Sequence, residues 1–213
     1  MNFTHIVFDI DGTLLDSESA VLFSLRDIIE ENQRRTVGLD ELKFSLGIPG
    51  TDALKRLGFD DPEYFNTLWE KKFRDYYGLM RIFDGIKGTL EKLKAKDITL
   101  GIITSKNRRE YRNDFVPFGL AGYFDTVVCA EDSVKHKPFP EPMEKFLELS
   151  GAAPEQVLYI GDTLYDLQCA KGAGVKFALA KWGCKASGIA ADYFFDAPED
   201  ILSPFSCKSI LHN

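Results

Sequence analysis

The sequence lacks any long apolar run; its apolar stretches are only a few residues each. A membrane-spanning helix needs about 20 consecutive apolar residues, so none is expected. No basic segment precedes an apolar run at the start of the chain. A secretory leader is therefore not expected, and the cytoplasm is the expected compartment. Cysteine is sparse. Cys129, Cys169, Cys184 and Cys207 lie far apart and form no C-x-x-C pair, which argues for reduced thiols rather than disulfides or a zinc site. Positive charge is in deficit: 26 Lys and Arg against 33 Asp and Glu leave a net charge of −7. A phosphate-rich polymer is repelled by such a surface on average, so nucleic acid is not an expected partner, and with no long apolar run neither is a membrane. The sequence shows no internal repeat and no low-complexity tract.

The rest of the composition is ordinary. With 45% hydrophobic and 28% charged residues over 213 positions, the chain suits one globular domain, or one domain with an insert. Ile6 to Phe8 reads as a fully buried strand, apolar without alternation. Further strand-like runs are "ITLGIIT" ending at Thr104, "TVVCA" at Ala130, "VLYIGD" at Asp162 and "KFALA" at Ala180. Between them lie helical patterns, "GTLEKLKAK", "EKFLELSG" and "LQCAKGAG", two of which close with Gly, as helices often do. This alternation predicts βαβ units and a Rossmann-like parallel sheet covered on both faces.

One segment breaks the rhythm. From Asp16 to about Asp84 no strand is expected. "SAVLFSLRDIIEENQRR" places Val21, Leu22, Leu25, Ile28 and Ile29 on one helical stripe. "DELKFSLG", "TDALKRLG" and "DPEYFNTLWEKKFRDYYG" are three more helical candidates, each starting near Asp or Thr and stopping at Gly. The expected organisation is an α/β core from residues 1–15 and 85–213, with a helical insert over 16–84.

Four polar clusters fall at or just past the carboxyl ends of strand candidates: Asp9-Ile10-Asp11-Gly12-Thr13, Thr104-Ser105, Lys137 in "KPFPEP", and Gly161-Asp162 followed by Asp166. In an open α/β sheet, ligands bind outside those ends, so the four segments are expected to converge on one crevice. The chemistry suits a phosphoryl group. Asp9 and Asp162 can hold Mg²⁺, a hard cation that takes carboxylates, carbonyls and phosphate oxygens. A carboxylate can also attack phosphorus, and Asp11 is near enough to serve as acid and base. Thr104, neighbouring amides and Lys137 would spread the charge of the transferring group. Each cluster also has a plainer reading. Asp11-Gly12 suits a turn, Thr104-Ser105 a helix cap, Lys137 a solvated charge, and Thr163-x-x-Asp166 a capping box. It is the conjunction that favours chemistry.

"DIDGTLLDS", "GIITSKN", "HKPFPEPM" and "GDTLYDLQCAKGAG" resemble the four motifs of the haloacid dehalogenase superfamily. They are most similar to its phosphoglycolate-phosphatase-like subfamily, which carries a helical cap inserted after the first motif. The resemblance spans essentially the whole chain. It implies a phosphatase with Asp9 as nucleophile, Asp11 as acid/base, and Thr104, the amide of Ser105 and Lys137 on the phosphate. It implies Mg²⁺ on Asp9, the carbonyl of Asp11 and Asp162, with Asp166 at or just outside that coordination. Lys135 competes with Lys137, but only Lys137 stands in the family's K-P-x-P context. The loop "GIPG", Gly47 to Gly50, is the expected substrate contact of the cap; Lys55 and Arg56 have the reach to meet a substrate anion, but a solvated helix face is the expected place for both. The expected partner is a small phosphorylated metabolite, and the chain is expected to be a monomer or weak homodimer. A sugar-phosphate mutase of the same superfamily is the alternative activity. A non-catalytic binding module would be expected to lack a catalytic residue, and none is missing.

Overall fold

The computed structural model describes residues 3–205; Cys207 lies outside them. The chain runs β1 (His5–Phe8), β2 (Leu15–Asp16), α1 (Glu18–Gln33), α2 (Leu39–Leu42), α3 (Gly50–Arg56), α4 (Pro62–Phe73), β3 (Arg81–Ile82) and α5 (Ile86–Lys94). It continues through β4 (Thr99–Ile103), α6 (Arg108–Glu110), β5 (Thr126–Val128), α7 (Glu141–Ser150), β6 (Val157–Gly161), α8 (Leu164–Gly172), β7 (Lys176–Ala180) and β8 (Tyr193–Phe195). Six strands form one sheet in the order β5-β4-β1-β6-β7-β8, and every pairing in it is parallel. The strand order reverses at β1, which has β4 on one side and β6 on the other. That is where an open α/β sheet leaves a crevice.

Strand periodicity sorts the core into two layers. Ile6, Phe8, Leu100, Ile102, Leu158 and Ile160 face one side, under Ile86, Leu90 and Leu93 of α5. Val7, Ile103, Val157, Tyr159 and Phe177 face the other, under Met143 and Phe146 of α7 and Leu167 of α8. Burial on both faces explains why these strands read as continuous apolar runs. Helices α1 to α4 bury a third cluster of their own, including Leu25, Ile29, Leu54 and Trp69. Trp69 Nε1 donates to Ser24 Oγ at 2.8 Å, which ties α4 to α1. Asp61 caps α4 by accepting from the Tyr64 amide at 3.0 Å, with Pro62 opening the helix, the residue pair that a helix start favours.

The structure departs from the sequence expectations in four places. The two connections of the helical segment lie side by side and pair as an antiparallel ribbon, Leu15 with Ile82 and Asp16 with Arg81. That overturns the expectation of no strand over this stretch; two residues are too few to show a period. The helix expected at Asp40–Gly47 is a single turn, α2, that tightens into a 3₁₀ turn at Lys43–Ser45. Strand β8 was not anticipated, because only Phe195 of its three residues is buried. Nor was α6, which passes straight into a π-helical turn at Tyr111–Phe115. No helix among the described residues is long and apolar enough to cross a membrane.

Gly101 in β4 has no room for a side chain: a Cβ there would lie 2.2 Å from Phe146 Cε2. Gly101→Ala is expected to cost about 1–3 kcal/mol through overpacking, read as a lower urea midpoint at unchanged slope. A midpoint at or above that of the natural protein would show that Phe146 yields freely.

Candidate active site

Asp9 is the first residue past β1, and its amide still donates to the Ile160 carbonyl at 2.9 Å. The sheet therefore fixes its position, and the side chain is buried. Lys137 reaches it from the segment before α7. The Lys137 ammonium, 1% exposed, lies 2.6 Å from Asp9 Oδ1 and 2.8 Å from Asp166 Oδ1. It also donates to the Tyr159 hydroxyl at 3.2 Å. Tyr159 in turn donates to Asp166 Oδ1 at 2.8 Å. The other oxygen of Asp166 accepts from the amide of Thr163 at 3.1 Å and its hydroxyl at 2.5 Å. Thr163 and Asp166 thus form the capping box of α8 and carry the support of Lys137 as well.

Asp11 sits on the turn that follows. The Gly12 amide donates to the Leu15 carbonyl at 2.8 Å. Gly12 has φ +82°, and a Cβ on it would meet Asp162 Oδ2 at 2.2 Å. Only glycine combines that backbone with that approach. Ser17 Oγ donates to Asp11 Oδ1 at 2.6 Å, and Lys106 Nζ lies 3.3 Å from Asp11 Oδ2. Lys106 is also 3.6 Å from Asp114, which takes the Tyr77 hydroxyl. Burial acts to lower the Lys106 pKa, but Asp11, Asp114 and Glu110 outweigh it and hold the ammonium charged. Thr104 is buried after β4, and its hydroxyl accepts from the Lys106 amide at 3.1 Å. Ser105 Oγ donates to the Gly47 carbonyl at 2.8 Å.

The carboxylates of Asp9, Asp162 and Asp166 bring one oxygen each within 4.8 Å of one another. Burial pushes Asp9 up to about 7 against the pull of Lys137. Burial, then Asp166 and Asp9, push Asp162 well above the usual carboxylate range. Asp166 goes the other way: burial acts to raise it, but Lys137, Thr163 and Tyr159 together hold it low. Three acids thus gather where one ammonium pairs with only two of them, Asp9 and Asp166. A hard divalent cation such as Mg²⁺ would offset the excess charge, and an all-oxygen donor set is the kind it takes. Asp9 Oδ2 has no hydrogen-bond donor among the described residues, whereas both oxygens of Asp166 are engaged.

Asp9 and Asp11 open onto a crevice bounded by Gly47, Ile48 and Gly50 on one side and by Asn66, Trp69 and Glu70 of α4 on another. Lys55 and Arg56 are exposed and lie outside it; Arg56 stacks on Phe44 with 4.3 Å to the ring centre. Lys135 is also exposed and pairs with Glu141 at 3.2 Å. Sequence reasoning had not singled out Lys106, Asn66, Glu70, Glu110, Asp114 or Tyr159. Lys106 had a signal, its place directly after Thr104-Ser105. Glu70 and Asn66 had none, because α4 reads as an ordinary amphipathic helix.

Lys137→Met would strand two carboxylates without their cation, which costs about 3–5 kcal/mol when a buried pair is broken. In metal-free buffer the loss should shrink on going from about pH 8 to about pH 5. Without the ammonium, burial raises Asp9 and Asp166 above their unfolded values. The folded variant then binds more protons than the unfolded chain and gains stability as pH falls. Urea midpoints at the two pH values check this; a pH-independent deficit would contradict it.

The profile of the haloacid dehalogenase-like hydrolase family matches residues 6–180. The chain is 32% identical to a phosphoglycolate phosphatase of Aquifex aeolicus, over 92% of this chain and 94% of that protein. It is 27% identical to the pyrophosphatase PpaX of Oceanobacillus iheyensis, over 95% of this chain and 97% of that one. The crystal structure of a Lactobacillus plantarum protein superposes with a TM-score of 0.86 at 28% identity, covering 95% of this chain and 99% of the other. The β1 turn, the buried lysine and the acid cluster therefore stand in a fold and a sequence that agree, and the chain belongs to the haloacid dehalogenase-like hydrolases.

Proposed function

We propose that this hydrolase is a Mg²⁺-dependent phosphatase of small phosphorylated metabolites that works through a phosphorylated Asp9. The observation that carries the reading is the state of Asp9. It is held by Lys137 through Oδ1, keeps Oδ2 free of donors, and lines the crevice together with Asp11. Phosphatase activity is also what the names of the relatives say of those proteins.

In the first step Asp9 Oδ2 attacks phosphorus, the ester P–O bond breaks, and Asp11 gives its proton to the leaving oxygen. In the second step Asp11 takes a proton from water, the water oxygen attacks phosphorus, and the bond to Asp9 breaks to release phosphate. Thr104, the amide of Ser105 and Lys137 steady the phosphoryl oxygens. Ser17 and Lys106 orient Asp11 between them. A Mg²⁺ held by Asp9, the Asp11 carbonyl and Asp162 would supply charge that draws the phosphoryl group to Asp9. Asp166 supports this arrangement from behind, through Lys137 and the Thr163 turn. The helical segment 16–84 acts as a lid on the crevice. Its two connections meet at the β2–β3 ribbon, and its Gly47 carbonyl takes the Ser105 hydroxyl across the opening. Closure would exclude water during the first step.

Turnover of an aryl phosphate should need Mg²⁺, stop on chelation and return when the metal is restored. Asp9→Asn should lower kcat by more than about a thousandfold, as loss of a nucleophile does. Steady-state kinetics on the folded variant check this. A rate close to that of the natural protein would overturn the covalent route.

A further inference from the structure

Two carboxylates, one from α4 and one from α6, line the same crevice as Asp9 and Asp11. Glu70 of α4 and Glu110 of α6 converge on one amide: Asn66 Nδ2 donates to Glu70 Oε1 at 3.2 Å and to Glu110 Oε1 at 3.1 Å. Arg109 neutralises Glu70 from the solvent side through both carboxylate oxygens, with Nε 2.6 Å from Oε2 and Nη2 donating to Oε1 at 2.8 Å, and Asn107 Nδ2 also donates to Oε1 at 3.2 Å. Glu110 has no such partner, since no cation among the described residues lies within ion-pair distance of it. The capping box of α6 accounts only for Glu110 Oε2, which accepts the Asn107 amide at 2.8 Å. Its Oε1 is turned to Asn66. The ammonium that lines the crevice, Lys106, is already shared between Asp11 and Asp114.

Resting on the phosphatase reading, we infer that Glu70 and Glu110 select phosphate esters whose leaving group is uncharged or cationic and offers hydrogen-bond donors, and that they reject substrates bearing a second anion. A polyol or an amino-alcohol phosphate is the class that fits. Its hydroxyl or ammonium protons would meet carboxylate oxygens, with Trp69 and Ile48 as the apolar wall beside them. A carboxylate or second phosphoryl group would instead be stripped of water and set against like charge, with Lys106 already committed. Like-charge placement of this kind is how a site rejects a near-analogue. Pyrophosphate and phosphoglycolate, the compounds in the names of the relatives, each carry a second anionic group and so fall in the rejected class.

The test is kcat/KM for four substrates with the natural protein: glycerol phosphate, phosphoethanolamine, phosphoglycolate and pyrophosphate, with an aryl phosphate as reference. The first two should exceed the last two by at least about tenfold. Glu110→Gln keeps an oxygen for the Asn107 amide while removing the charge, and it should narrow that ratio by roughly tenfold, mainly through KM for the anionic substrates. Glu70→Gln should act in the same direction, and thermal unfolding confirms that each variant is folded. Equal turnover or a preference for phosphoglycolate or pyrophosphate in the natural protein overturns the inference alone, with no variant needed. A polyol preference that survives unchanged in both variants overturns it too. No turnover of any ester, the aryl phosphate included, overturns the phosphatase reading and this inference with it.

Discussion

The Lys137 ammonium is buried against Asp9 and Asp166, and the rest of the site is arranged around the cost of putting it there. Removing a charge from water is expensive, and the attraction of one neighbour rarely repays it. Here Lys137 has two carboxylates, the Tyr159 hydroxyl and the Ile103 carbonyl, the last at 3.4 Å. These partners come from β1, β4, β6 and the start of α8. The ion cluster therefore joins the three central strands at one edge of the sheet. It also leaves an imbalance, because Asp162 adds a third carboxylate that no cation among the described residues neutralises. Stability and chemistry meet in that imbalance: an open carboxylate oxygen on Asp9 stands beside surplus negative charge.

The two ends of the crevice solve different electrostatic problems. At the Asp9 end, acids are gathered beside one buried ammonium, which suits a cation and the phosphoryl group it would draw in. At the far end, Glu70 and Glu110 gather around an amide, with Arg109 at the outer surface. Lys106 lines the same crevice. It touches Asp11, and through Asp114 it is linked to Tyr77, two residues before the end of the 3₁₀ turn Arg74–Leu79 that leads back toward the sheet. The orientation of the proposed acid/base is thus set by a chain of contacts that reaches the helical segment.

The central sheet was legible because buried parallel strands write themselves as short apolar runs. Five of the six strands of the main sheet, and the polar residues at their ends, follow from that pattern. Strand β8 escaped because it is a short edge strand with one buried residue. The β2–β3 ribbon escaped because two residues carry no period. Asp9, Asp11, Lys137, Asp162 and Asp166 were legible from spacing and motif context, and the structure brings them to one edge of the sheet. Tyr159 was read only as an apolar strand residue, since nothing in "VLYIGD" says where its hydroxyl ends. The far end of the crevice was illegible for a different reason. Asn66, Glu70 and Glu110 meet through tertiary contacts, Asn66 and Glu110 being 44 positions apart. Each has an ordinary local reading, in a helix face or a capping box, and only their convergence gives them another.

A covalent bond between phosphorus and Asp9 is the central step of the proposed function. The direct measurement is peptide mass spectrometry of a turnover mixture quenched in acid within the first cycle, using an aryl phosphate with Mg²⁺ present. A phosphoryl group is expected on the peptide that contains Asp9, formed in a burst and absent from Asp9→Asn. Full turnover with no phosphorylated peptide, or with the phosphoryl group on another residue, would contradict it.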